Sequence, residues 1–291
     1  MPTRPFDVPA ALYPFEDRWL HHRGANIHYI DHGEGFPVVL CHGNPTWSFL
    51  YRDVIGALGP GIRALAMDLP GFGMSDHPEP YSYMPDEHAA WLRAWLDSLG
   101  LDRYILVVQD WGGPTGLSAA LQRPEQVAGL VIMNTWVGRV SLLGKAFSWA
   151  LGGPLGWYLN IHRNYFADKV VPSAMYYRKA KPPAVFAAYT APFPTPASRR
   201  GTYVFPRAIR QVDGWMLETR AKLAQVSDRP VELVWGMKDA LFGREELIAS
   251  WQRRFPSARV TRLEKASHYL QEDQPQAIAE AIQRVVAQAR G

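Results

Sequence analysis

The sequence predicts an α/β fold: a mostly parallel sheet flanked by helices, with a helical insertion between two strands. Three observations predict it. Short apolar runs bounded by Gly and Pro turns alternate with longer runs of helical period. That rhythm stops from about Val137 to Gln211, where Pro, Tyr, Trp and Phe crowd together, and then resumes. The polar residues best suited to chemistry sit just after the apolar runs, where parallel strands place ligand sites.

The elements follow in order. Residues 1 to 20 contain four prolines and read as an irregular arm. Ala25 to Ile30 roughly alternates, like a half-buried strand, and Asp31-His32-Gly33-Glu34-Gly35 is a turn. Pro37 to Cys41 is a short buried strand that ends in His42-Gly43-Asn44-Pro45. Residues 47 to 58 have helical spacing, and Ile62 to Leu69 is a second buried strand closed by Pro70-Gly71-Phe72-Gly73. Residues 86 to 99 form an amphipathic helix with Asp86 as its expected N-cap. A strand then runs into Asp110, a helix continues toward Gln122, and Leu130 to Met133 is again a strand. After the insertion come a strand at Val231 to Gly236, a helix at 244 to 254, a strand at Ala258 to Leu263 and a closing helix at 275 to 289. The expected division is a core of 1–136, a helical cap of 137–211 and a second core portion of 212–291.

Bulk properties narrow the function. A chain of 291 residues with 47% hydrophobic and 20% charged content buries a sizeable core. The 31 Lys and Arg against 27 Asp and Glu give a net charge of +4, and they read as scattered, the densest clusters being pairs such as Arg199-Arg200 and Arg253-Arg254. That is no nucleic-acid footprint. One cysteine, Cys41, excludes an intrachain disulfide and fits a reducing compartment. No apolar h-region opens the chain and no apolar run reaches about 18 residues, so a cytoplasmic protein with no membrane partner is expected. The 11 Trp read first as core material.

The stretch Val107-Val108-Gln109-Asp110-Trp111-Gly112-Gly113 places a carboxylate on a sharp turn between strand and helix. That setting often carries a nucleophilic serine, as G-x-S-x-G. Asp239 follows the strand ending at Gly236, and His268 follows the last strand. Singly, each residue has an ordinary explanation: an N-cap, a core tryptophan, a turn aspartate, a structural histidine. Their order of nucleophile, acid and histidine, each at a strand end, favours a catalytic set. His42 is expected to shape its turn and Cys41 to pack. His28 and His32 have i, i+4 spacing, but on a strand and turn rather than a helix, so no zinc site is expected. Gly71-Phe72-Gly73 lacks the rest of a dinucleotide fingerprint, and no P-loop is present, so neither metal nor cofactor is expected.

An aspartate is ordinarily ionised at neutral pH, so Asp110 can attack an sp³ carbon directly and form an ester. That suits a leaving group that departs without a proton, such as a halide, and also an epoxide if an acid is present to protonate the opening ring. His268 is then expected to activate water against the ester, with Asp239 orienting it. The Trp111 indole N–H is a donor only, and the Asn44 side chain can offer NH₂ from the opposite loop. Two neutral donors suit a large, polarizable anion whose charge develops in the transition state. The backbone N–H groups of Asn44 and Trp111 are expected to form an oxyanion hole.

These motifs resemble the haloalkane dehalogenases of the α/β-hydrolase superfamily. The similar stretches are H-G-N-P-T-W-S-F-L-Y-R from His42, D-L-P-G-F-G-M-S-D from Asp68, V-V-Q-D-W-G-G, Y-T-A-P-F-P from Tyr189, F-P-R from Phe205, W-G-M-K-D from Trp235 and S-H-Y-L-Q-E-D from Ser267. The resemblance implies an α/β-hydrolase fold with Asp110 as nucleophile, Asn44 and Trp111 as halide donors, Asp239 as acid and His268 as base. Its substrates would be small halogenated hydrocarbons and water. An Asn donor combined with an acid at the later strand end resembles the third subfamily; the alternative acid position holds Asn134, which cannot serve as the acid. Members of that group associate into larger assemblies, so the resemblance implies homo-oligomerisation as one outcome. A cap tryptophan, Trp157, is a weaker alternative donor.

The main alternative is an epoxide hydrolase on the same fold. It needs phenols to protonate the opening ring, and Tyr158, Tyr165, Tyr176, Tyr177, Tyr189 and Tyr203 supply them in the insertion. Asn44 argues against it, since an apolar or aromatic residue is usual there. A non-catalytic binder on this fold would have no need of Asp110, Asp239 and His268 together. A luciferase-type relative has similar motifs, and nothing in the sequence selects it.

Overall fold

The computed structural model describes residues 2–291. Eight strands form one sheet: β1 (Asp17–His22), β2 (Ala25–His32), β3 (Phe36–Cys41), β4 (Ile62–Met67), β5 (Tyr104–Gln109), β6 (Val127–Met133), β7 (Val231–Gly236) and β8 (Arg259–Leu263). Their order across the sheet is β1-β2-β4-β3-β5-β6-β7-β8. β1 pairs antiparallel with β2, and β2 antiparallel with β4; every other pair is parallel.

The parallel strands read as continuous apolar runs because both their faces are covered. Every residue of β5, β6 and β7 is buried. Alternate residues feed two cores. Val39, Leu106, Val108 and Ile132 face one side, with helices Pro85–Ser98 and Gly112–Ala120 packed over them. Val38, Leu40, Ile105 and Val107 face the other, against helix Pro275–Arg290. The largest closed side chains, among them Trp47, Trp95 and Trp235, sit in these cores.

Two local expectations are corrected. The arm is not irregular throughout, because Asp17–His22 pairs as the edge strand β1. It is half exposed and its residues do not alternate cleanly, so the sequence carries little strand signal. Asp86 does not cap its helix: the helix begins at Pro85, Met84 occupies the cap position, and Asp86 lies inside the first turn. The chain outside is tied instead by Glu87, whose Oε2 accepts from the Ser82 N–H at 2.8 Å.

Between β6 and β7 the chain forms helices and no strand. The longer helices are Leu142–Gly152, Pro154–Arg163, Pro183–Thr190, Arg200–Ala208 and Asp213–Lys222. Ser141 caps the first by accepting from the Gly144 N–H at 3.1 Å. The segment is anchored to the body by Glu272. This buried carboxylate pairs with Arg52 of the body and with Lys181 at 2.8 Å, and it accepts from the Tyr189 hydroxyl at 2.6 Å.

Candidate active site

β3, β5, β7 and β8 all run parallel, so their carboxyl ends open on one edge of the sheet. Asn44, Asp110, Asp239 and His268 follow those four ends. The structure brings them and Trp111 together around a cavity of about 290 Å³.

Asp110 sits on the turn between β5 and helix Gly112–Ala120 with φ +49°. A left-handed conformation at a non-glycine residue is strained, and it lifts the side chain clear of the strand. Three glycines admit the turn. A Cβ on Gly43 would lie 2.3 Å from Asp110 Oδ2, one on Gly112 would lie 2.2 Å from the Cys41 carbonyl, and one on Gly113 would lie 1.9 Å from Thr135 Oγ1. Thr135 in turn donates to the Asp110 carbonyl at 2.6 Å.

Asp110 Oδ2 accepts from the backbone N–H of Asn44 at 2.9 Å. Burial raises the Asp110 pKa above the ordinary aspartate value, opposed by His268 and by the backbone N–H groups of Trp111 and Asn44. Asp110 Oδ1 faces His268 Nε2 across 3.6 Å. His268 Nδ1 is 2.7 Å from Asp239 Oδ2. Burial lowers the imidazole pKa, but the Asp239 carboxylate outweighs it and the net direction is upward. Burial likewise raises Asp239, yet His268 and donated hydrogen bonds carry it below its usual value. Those bonds come from the backbone N–H groups of Leu241 (2.8 Å) and Phe242 (3.1 Å) to Oδ1, and from the Asn134 side-chain amide (2.9 Å) to Oδ2.

Asn134 and Gln109 were assigned no part in the site from sequence alone. Asn134 accepts from the Gly236 N–H at 2.7 Å and donates to the Gly236 carbonyl at 3.0 Å, which bolts the end of β6 to the end of β7 beside Asp239. The only available signal was its place after Met133, where an acid could otherwise stand. Gln109 Nε2 donates to the His268 carbonyl at 3.0 Å and lies 3.1 Å from His268 Nε2. An amide N–H there favours the tautomer with the proton on Nδ1, toward Asp239, and a lone pair on Nε2.

Trp111 packs its ring against Trp136 at 4.9 Å and Phe205 at 5.0 Å between centroids. Trp111 lines the cavity, and its indole N–H donates to no group among the described residues. Asn44 is buried, its side chain lines the same cavity, and its Oδ1 has no partner. Phe147, Phe166, Ile209 and Phe242 make the rest of the wall largely apolar. Trp157 does not reach it, and neither do the six tyrosines of the insertion. Tyr189 donates its hydroxyl to Glu272, and the Tyr203 hydroxyl accepts from Arg207. The only phenol lining the cavity is Tyr269, whose hydroxyl donates to the Asn44 carbonyl at 3.3 Å.

His42 accepts from the Leu69 N–H at Nε2 (2.9 Å) and bonds the Gly43 carbonyl at Nδ1 (2.9 Å), so it holds the turn. Cys41 is buried, with its thiol pushed up to about 12 by burial. Among the described residues no group of three or more His, Cys, Asp or Glu is placed to hold a metal ion.

A family model described as the alpha/beta hydrolase fold matches residues 37–275. The chain is 41% identical over 279 residues to "Haloalkane dehalogenase 2" of Mycobacterium tuberculosis, covering 95% of this chain and 97% of that one. It is 32% identical to a "Cis-3-alkyl-4-alkyloxetan-2-one decarboxylase" of Shewanella oneidensis, covering 90% of this chain and 85% of that one. Among solved structures, the haloalkane dehalogenase DbeA from Bradyrhizobium elkani superimposes with a TM-score of 0.86 at 27% identity, covering 95% of this chain and 99% of that one. With an eight-stranded, mostly parallel sheet and near full-length similarity to named dehalogenases, the chain belongs to the haloalkane dehalogenase family and is an enzyme of the α/β-hydrolase fold.

Proposed function

We propose that this enzyme hydrolyses small haloalkanes to alcohol, halide and a proton through a covalent ester on Asp110. The carrying observation is the pairing of a carboxylate nucleophile position with two neutral side-chain donors, Asn44 and Trp111, in one apolar cavity. Residues 137–211 serve as its cap.

Asp110 Oδ2 is held by the Asn44 N–H, so Oδ1 is the oxygen left for the substrate carbon. Oδ1 forms a bond to that carbon as the carbon–halogen bond breaks, and the electron pair leaves with the halide. The indole N–H of Trp111 and the amide of Asn44 receive the anion. Donors aimed at developing charge in a water-poor site lower the barrier because they need no reorganisation at that moment. His268 Nε2 then takes a proton from water, whose oxygen attacks Cγ of the ester. The backbone N–H groups of Asn44 and Trp111 stabilise the charge forming on Oδ2. Collapse breaks the bond from Cγ to Oδ1; the departing alkoxide takes the proton of the imidazolium that Asp239 has stabilised and leaves as the alcohol, and the second water proton is lost to solvent as Asp110 returns to carboxylate.

The epoxide alternative requires an acid for the ring oxygen. The cap tyrosines lie off the cavity, and Tyr269 is tied to the Asn44 carbonyl, which favours the halide reading. The combination of Asn44 with Asp239 supports the reading of a third-subfamily member. The oxetanone decarboxylase relative makes halide release, rather than family membership, the decisive readout. Purified enzyme is given 1-bromobutane, 1,2-dibromoethane and styrene oxide. Bromide release that Asp110→Asn abolishes supports the proposal. Diol formation from styrene oxide without bromide release from either haloalkane contradicts it.

A further inference from the structure

The basic residues that read as scattered along the chain are gathered by the fold. Residues 137–211 carry eleven Lys and Arg against one acid, Asp168, a formal charge of +10, which leaves the rest of the chain at −6. Lys169, Lys181 and Arg200 pair with Asp168, Glu272 and Glu79. Arg139, Lys145, Arg163, Arg207 and Arg210 pair with no acidic side chain among the described residues.

The same segment also exposes apolar side chains. Leu142 is 85% exposed, Leu155 67% and Trp149 65%, with Trp157 and Tyr158 about half exposed. Among the described residues outside 137–211, the one comparably exposed large apolar side chain is Leu217. Cations and apolar groups share one surface: the Arg210 guanidinium lies 3.8 Å from the Trp149 ring centroid, and Trp149, Trp157, Arg207 and Arg210 line one shallow groove. The other side of helix Leu142–Gly152 contributes Gly144 and Phe147 to a second cavity of about 190 Å³. That cavity shares Trp136, Phe147 and Phe242 with the one holding Asp110, and it reaches the exposed Arg139 and Ser141.

We propose that helices Leu142–Gly152 and Pro154–Arg163 form a docking surface for an anionic lipid bilayer, on which the enzyme lies with Trp149, Leu155 and Trp157 in the interface. Tryptophan and leucine enter the headgroup boundary while surrounding Lys and Arg meet anionic lipid. Lying on a membrane needs no spanning segment, and no helix among the described residues is long and apolar enough to cross one. The expectation of no membrane partner considered only an apolar leader and spanning segments, neither of which surface docking requires. A second copy fits this face less well. A symmetric contact would set +10 against +10. A contact with the body would bring opposite charges together, but would place Trp and Leu against a surface with little exposed apolar area to receive them. The cavity reaching Arg139 and Ser141 then opens beside the phase into which apolar substrates partition.

The test is flotation of the full chain with phosphatidylcholine vesicles and with vesicles that also contain phosphatidylglycerol. It needs no turnover, so its outcome is separate from that of the dehalogenation reading. The wild type is expected to float with the anionic vesicles only, and to be released by salt. Lys145→Glu with Arg163→Glu, and separately Leu155→Ser with Trp157→Ser, should each cut the bound fraction by about tenfold or more. All four side chains lie off the cavity, so melting temperature and turnover in solution should hold. Failure of the wild type to float on anionic vesicles overturns the proposal. So does sedimentation as an oligomer that the Leu155→Ser, Trp157→Ser pair dissociates, with no recruitment to vesicles.

Discussion

Asn134 donates its side-chain amide to Asp239 Oδ2 across 2.9 Å, joining the end of β6 to the turn after β7. The oxygen it holds is the one that faces His268 Nδ1 at 2.7 Å. A neutral amide at the β6 position therefore acts on the histidine through the acid. Asn134→Ala should lower the rate of ester hydrolysis by about tenfold, the loss of one hydrogen bond to a charged group. Asn134→Asp should do more harm, because two buried carboxylates would then compete for one proton. Pre-steady-state kinetics decides: alkylation of Asp110 should keep its rate while ester hydrolysis slows. Equal slowing of both steps would show that Asn134 supports the fold of the site rather than the histidine.

Trp111→Phe keeps an aromatic ring against Trp136 and Phe205 and removes the indole N–H. Bromide release should fall by about a hundredfold or more, the scale for losing one donor to developing charge. Asn44→Leu should act similarly, and melting temperatures should change little for Trp111→Phe. Unchanged turnover in both variants would remove the proposed halide cradle.

Away from the cavity, His28 Nδ1 lies 2.8 Å from Asp68 Oδ2 and Nε2 lies 3.1 Å from Asp17 Oδ1. Burial opposes its charge, but the two carboxylates outweigh burial and raise its pKa to about 9 from 6.5. A raised folded-state pKa means that its stabilisation is complete below 6.5 and is lost as pH rises through about 9. Thermal melts across that window should show the wild type losing more stability than His28→Asn. Parallel curves would mean that His28 is uncharged in the folded protein.

Glu272 pairs with the buried Arg52 and also holds Lys181 and Tyr189 of the insertion. Glu272→Ala should cost about 3–5 kcal/mol, since it strands a buried guanidinium. Denaturant melts measure that loss. Tyr189→Phe removes a single bond and should cost only about 1 kcal/mol. Similar losses in the two variants would place the anchor in the tyrosine instead.

Much of this organisation is legible in the residues. β5 and β7 read as continuous apolar runs because both faces are buried, and the residues following them stood out as polar exceptions at turns. The left-handed turn at Asp110 is written in Gly112 and Gly113, whose lack of Cβ is needed by Cys41 and Thr135. What the sequence conceals depends on distance in three dimensions. β1 is a half-exposed edge with weak alternation. Asn134 looks like a missing acid until β7 is laid beside β6. The tyrosines of the insertion look available for catalysis until the fold leaves all six off the cavity, with Tyr189 donating to Glu272. The charge of the insertion is countable in advance, but its meeting with exposed Trp149 and Trp157 on one face is a product of helix packing.

Trapping the ester on Asp110 decides whether this carboxylate is the nucleophile. His268→Ala, mixed with excess 1-bromobutane, lacks the base that activates water. One bromide should be released per enzyme, with a butyl adduct located by mass spectrometry on the peptide containing Asp110. Bromide release with Asp110 unmodified, or sustained turnover in this variant, would contradict the ester mechanism.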